Sequence, residues 1–145
     1  MYETIVVATN GSDEAAAAED HAVDLADRYG SEIHGLFVVD PEVTPISSSF
    51  SASEVEDLFF DGTEHPANDL QARADGRDIP ATTETRMGHP DDEIINCADT
   101  VDADLVVMGP HGRSGIERRL LGSTTERTLR KADIPLLCVQ SATNS

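Results

Sequence analysis

Four short apolar runs, rich in β-branched residues, recur along this chain: TIVVAT at 4–9, EIHGLFVVD at 32–40, DLVVMG at 104–109 and IPLLCVQ at 134–140. Segments with helical spacing lie between them. A strand that is apolar on both sides has to be covered on both faces, which predicts a parallel sheet with helices above and below. The stretch ATTETRMG at 81–88 alternates in polarity and adds a further strand. After the first strand, Ser12 or Asp13 is placed to cap a helix whose inward positions are Ala18, Ala22, Leu25 and Ala26, with Gly30 as its stop. Helices are also expected from about 66 to 75, over HPDDEIINCADTVDA at 89–103 and from Ser123 to Lys131. Residues 41–64 read as a loop, a short helix near 53–60 and a break at Asp61-Gly62.

Strand, helix and strand in succession make right-handed parallel crossovers. Ligands of such sheets bind beyond the carboxyl ends of the strands, where strand order reverses. The loops that matter are therefore those at 10–13, 40–50, 87–90 and 109–122.

The last of these loops is unusual in its charge. Arg113, Arg118, Arg119, Arg127, Arg130 and Lys131 are six of the ten Lys and Arg in a chain of net charge -18. They surround Gly109, Gly112, Gly115 and Gly122. Gly109 and Gly112 let the chain turn and bring bare amide groups against a ligand. Gly122-Ser123-Thr124-Thr125 then opens a helix whose first N–H groups have no partner within it, a ready anion site with three hydroxyls beside it. A single charge at an exposed helix N-terminus gains only about 0.3–1 kcal/mol, so several amides, the hydroxyls and Arg113 have to act together. The lysine-containing phosphate loop G-x-x-x-x-G-K-[ST] is absent, and the first strand–helix turn, ATNGSDE, lacks G-x-G-x-x-G.

Twenty-eight Asp and Glu against ten basic residues, spread along the chain, repel nucleic acid and anionic lipid. The same excess suits molar salt, where the screening length falls to about 3 Å, and a halophilic origin is the expectation. No apolar run is long enough to span a membrane. The start, MYETIVVATNGS, has no basic segment ahead of a long apolar stretch, so no signal peptide is expected and the chain is placed in the cytoplasm. At 145 residues, with no internal repeat, a single domain over 1–145 is expected.

Gly109-x-x-Gly112, nine residues, then Gly122-Ser123 resembles the nucleotide-binding signature of the universal stress protein family. IVVATNGSDEAAAAEDHAVDLA is similar to the opening strand and helix of that family, LFVVD to its second strand, and DADLVVMGPHGRSGIERRLLGSTTERTLRKADIPLLCV to its ending. The resemblance covers the whole chain. It implies a five-stranded parallel sheet in the order 3-2-1-4-5 with helices on both faces, a Rossmann-like fold of the adenine nucleotide alpha hydrolase type. It also implies ATP or AMP, with or without Mg2+, in the crevice between strands one and four. By that resemblance the backbone around Ala8, Thr9 and Asn10, together with Val38, holds adenine and ribose. Met108 and Gly109 line the floor, and His111, Gly112 and Arg113 lie beside the phosphates. Gly122, Ser123, Thr124 and Thr125 bind the triphosphate. Where the family's first strand usually ends in Thr-Asp, this chain has Thr9-Asn10, so a metal or water organised there by a carboxylate loses its charge.

The remaining candidates have plainer readings. His111 orients the loop by hydrogen bonds, and His89 contributes shape near the crevice. His21, His34 and His65 are scattered and make no metal set. Cys97 and Cys138 read as buried small hydrophobes, and the acids of HPDDE and EVEDLFFDG as solvated faces. Arg118, Arg119, Arg127 and Arg130 have the alternative of pairing with surface carboxylates. No catalytic residue is assigned.

The strand at 135–140, apolar on both sides and last in the sheet, is an edge that wants cover. The family resemblance points to a homodimer formed through it. The function that follows is a stress-response protein acting as a nucleotide-dependent regulatory dimer. The alternatives are a slow ATP hydrolase or autophosphorylating protein, and a ligand-free interaction module.

Overall fold

Each apolar run becomes a strand of one sheet in the computed structural model, which describes residues 2–9, 13–39, 68–109 and 123–139. The strands are β1 (Thr4–Ala8), β2 (Glu32–Val39), β3 (Ala81–Met87), β4 (Leu105–Met108) and β5 (Leu136–Cys138). The helices among the described residues are α1 (Asp13–Tyr29), α2 (Asn68–Asp75), α3 (Pro90–Thr100) and α4 (Ser123–Lys131). The short helix expected near 53–60, and the whole stretch 41–64, lie outside the described residues.

The five strands are parallel and run β3-β2-β1-β4-β5 across the sheet. Registers such as Ile5 opposite Ile33 on one side and Leu105 on the other place β1 at the centre. Because side chains alternate across a strand, β1 and β4 feed two cores at once. Ile5, Val7, Ile33, Leu105 and Val107 point to one face, where Ala18, Ala22, Val23 and Ala26 of α1 and Leu70 and Ala74 of α2 cover them. Val6, Leu36, Val106 and Met108 point to the other, under Ile94, Cys97 and Ala98 of α3. Each fully buried Val, Leu or Ile contributes about 1.5–3 kcal/mol relative to exposure, which is why uninterrupted apolar runs stay in the middle of the sheet.

Two glycines fit α1 and α2 to this sheet. Gly30 takes φ +68° at the end of α1, and Ser31 N–H then closes back on the Ala26 carbonyl at 3.0 Å. Gly35, in mid-strand, leaves room for α2: a Cβ there would come 2.6 Å from Cδ2 of the fully buried Leu70.

The last strand is shorter than its apolar run suggests. Among the described residues Leu136–Cys138 has β4 as its only neighbour, and the ladder thins out at Val139, whose N–H still reaches the Met108 carbonyl at 2.9 Å. No helix among the described residues is long and apolar enough to cross a membrane.

Candidate functional site

β1 leads through α1 to β2 on one side of it, while β4 lies on its other side. α1 and α3 accordingly cover opposite faces, and strand order reverses between β1 and β4. A crevice at the carboxyl ends of these two strands is a consequence of that topology.

The described residues around it are Ala8 and Thr9 at the end of β1, Val38 on β2, Met108 and Gly109 at the end of β4, and the first turn of α4. Ala8 and Val38 are partly buried against the core under α3, of which Met108 is a buried member. The Thr9 N–H is spent on the Leu36 carbonyl at 2.9 Å, and its hydroxyl donates to Oε2 of Glu19 on α1. The Thr9 N–H and hydroxyl hydrogen are thus both committed within the fold.

A hydrogen bond holds the first turn of α4 to the end of β4. Oγ1 of Thr125, 2% exposed, donates to the Gly109 carbonyl at 3.0 Å. The Thr125 hydrogen is thus already committed, and this residue clamps the helix against the strand end. The free N–H groups that every helix start carries are brought by that clamp to the β4 side of the crevice. Asn10, His111, Gly112, Arg113 and Gly122 lie outside the described residues, and Ser123 and Thr124 are described only as the backbone opening α4.

Beneath Thr9 lies a feature with no signal in the sequence. Glu19 is 1% exposed although it carries a carboxylate. Nε of Arg73, from α2, lies 3.5 Å from its Oε1, and the same guanidinium bonds Asp20. Glu19 occupies an inward position one residue after Ala18. In so acidic a chain, nothing marked it apart from its exposed neighbours.

Of the basic residues that gather around the glycines, Arg127, Arg130 and Lys131 are among the described residues. All three pair within the protein: Arg127 with Asp91 at 3.6 Å, Arg130 with Glu126 at 2.9 Å, and Lys131 with Asp91 at 2.5 Å and Asp92 at 2.7 Å. Carboxylates of the fold itself therefore answer these three charges. Asp91 also corrects the reading of HPDDE as a solvated face, since it is 3% exposed while Asp92 is exposed. Burial by itself pushes the Asp91 carboxyl up. The Lys131 hydrogen bond, its own backbone amide and the Lys131 and Arg127 charges outweigh that and hold it below the ordinary carboxylate range.

A second polar group sits away from the crevice, where α3 crosses β2 and β3. His34 Nε2 lies 2.6 Å from Glu84 Oε1, Arg86 Nε bonds Glu84 Oε2 at 2.9 Å, and Cys97 Sγ is 3.7 Å from Glu84 Oε1. His34, one of three scattered histidines in the sequence, thus acquires partners that the chain brings from about fifty residues away. Of the two cysteines, Cys97 is buried as expected, and burial followed by the Glu84 charge pushes its thiol up to about 12. Cys138, on the edge strand, is only partly buried.

An open parallel sheet that reverses at β1 and β4, with a helix start pinned to the end of β4, defines a doubly wound α/β protein of the kind that takes ligands at its strand ends. Within that class, residues 1–140 match the model of the universal stress protein family. The universal stress protein MJ0531 of Methanocaldococcus jannaschii is 33% identical, over 97% of this chain and 83% of that protein. The solved structure of MJ0577 from the same organism superposes with a TM-score of 0.82 at 24% identity, over 96% of each chain. A universal stress protein crystallised in complex with cAMP superposes with a TM-score of 0.70 at 27% identity, over 97% of this chain and 98% of that one. This chain belongs to the universal stress protein family.

Proposed function

We propose that this chain is a stress-response protein that binds an adenine nucleotide, ATP or AMP, in the crevice between β1 and β4 and acts as a nucleotide-dependent regulatory homodimer. The observation that carries the proposal is the Thr125–Gly109 hydrogen bond, which sets the N-terminus of α4 against the end of β4. Support for an adenine ligand comes from the cAMP complex of a relative with the same fold. The roles of Asn10, His111, Gly112, Arg113, Gly122, Ser123 and Thr124 belong to this proposal, as do the single domain over 1–145, the cytoplasmic location and the pairing of two copies through β5. Glu19, the carboxylate beneath Thr9, is buried and already accepts the Thr9 hydroxyl, so it is not available to Mg2+. A cation arriving with the nucleotide would be held by phosphate oxygens and water.

Calorimetric titration with ATP and AMP in concentrated KCl tests the reading, with native mass spectrometry of gently extracted protein for a retained nucleotide. Binding of at least one nucleotide is expected, and Arg113→Ala should weaken ATP about tenfold more than AMP, a difference of about 1.4 kcal/mol. No binding of either at millimolar concentration overturns it. Light scattering tests the dimer separately, and a monomeric mass at every salt concentration rejects it.

A further inference from the structure

The group at His34, Glu84 and Cys97 is independent of the nucleotide crevice and has the donor chemistry of a metal site. One ring nitrogen, one carboxylate oxygen and one sulfur, from β2, β3 and α3, all lie within 4.8 Å of one another. We propose that these three residues bind a divalent transition cation, Zn2+, with water in the fourth position, fastening α3 to the β2–β3 edge of the sheet.

Two of the three donor spacings are within about 1 Å of what the ion requires, and the third, His34 to Cys97, lies within 4.8 Å. Bonds of about 2.0–2.2 Å to nitrogen and oxygen and about 2.3 Å to sulfur, arranged tetrahedrally, separate neighbouring donor atoms by about 3.4–3.6 Å. The Glu84 Oε1 to Cys97 Sγ distance is already 3.7 Å. His34 Nε2 and Glu84 Oε1, at 2.6 Å, have to part by less than one ångström as the ion takes the place of the proton between them. Glu84 is a third exposed, so a small swing of its carboxylate about the Arg86 hydrogen bond meets solvent on one side.

The atoms around the donors hold them in position. Thr82 Oγ1 lies 3.0 Å from His34 Nδ1, which leaves Nε2 as the coordinating nitrogen. Arg86 Nε binds Glu84 Oε2 at 2.9 Å and leaves Oε1 for the ion. Partners on the non-coordinating atoms of a ligand set are the usual means of orienting it. Nη1 of Arg86 also lies 3.7 Å from Glu93 Oε1, so its charge is shared with a second carboxylate. On binding, Zn2+ displaces the Cys97 proton to solvent, and the resulting imidazole, carboxylate and thiolate set favours it over Mg2+ or Ca2+, which take all-oxygen surroundings.

The test uses the full chain, freed of metal with a chelator, in concentrated potassium salt so that the acidic surface does not hold the probe. Zn2+ titration should give one site per chain. Co2+ should give a thiolate charge-transfer band in the near ultraviolet that disappears in Cys97→Ser and persists in Cys138→Ser. Glu84→Gln and His34→Gln should each weaken Zn2+ at least tenfold, and Zn2+ should raise the thermal midpoint of the wild type but not of Cys97→Ser. Circular dichroism establishes that each variant is folded, and the Cys97/Cys138 contrast decides the matter should the His34 variant fail to fold. Absence of the band from the wild type, its survival in Cys97→Ser, or an affinity indifferent to all three substitutions overturns the proposal.

Discussion

Replacing Thr125 by Val removes one oxygen and leaves the shape of the side chain nearly intact, so it isolates the hydrogen bond that pins α4 to β4. The lost bond is worth about 1 kcal/mol, and a buried Gly109 carbonyl left without its donor brings the total to about 1–3 kcal/mol. Both ends are buried and the contact joins residues sixteen apart, so no neighbouring turn makes up the loss. Urea unfolding of Thr125→Val should show a lower midpoint with an unchanged slope. Because the clamp positions the whole first turn of α4, ATP and AMP should weaken together, each by about tenfold if about 1.4 kcal/mol of the loss reaches the site. Thr125→Ser, which keeps the hydroxyl, should recover the affinity for both. An unfolding midpoint identical to wild type would refute the clamp. A loss of ATP tenfold greater than that of AMP would instead make Thr125 a direct phosphate ligand.

Glu19→Ala should cost about 1–3 kcal/mol in urea unfolding, because it removes the acceptor of the buried Thr9 hydroxyl and leaves the Arg73 guanidinium to Asp20; an unfolding midpoint equal to wild type would count against a structural role. Asp91, held below the ordinary carboxylate range in the folded state, stabilises the protein fully above about pH 4, and that contribution is lost as the pH falls through its folded value. Asp91→Asn should therefore flatten the acid limb of a stability–pH profile, and an unaltered limb would refute the assignment. With a net charge of -18, raising KCl from low to molar concentration should raise the unfolding midpoint by screening self-repulsion; equal stability throughout would dispose of the halophilic reading.

Much of the fold was legible along the chain because apolar periodicity is a local signal. The runs at 4–9 and 104–109 are apolar on both sides, and in the structure β1 and β4 have neighbours on both edges and helices on both faces. Gly30 predicted the end of α1, and its positive φ is the reason. Less of the site could be read. Glycine and serine spacing pointed to the end of β4 and the start of α4, yet it did not say which hydroxyl faces inward. Thr125 was counted with Ser123 and Thr124 as a donor, and only the packed helix shows its hydrogen committed to Gly109.

The sequence by itself determined the alternation of strands and helices, the two-sided burial of the central strands and the family, because each is encoded in residues near one another. Only the tertiary structure decided which of the twenty-eight acids are buried and which cations they answer. Asp91 meets Lys131 and Arg127, Glu19 meets Arg73, and His34 meets Glu84 and Cys97. Charge and donor atoms act through space over a few ångströms, and the crossovers of a parallel sheet bring together residues that lie tens of positions apart.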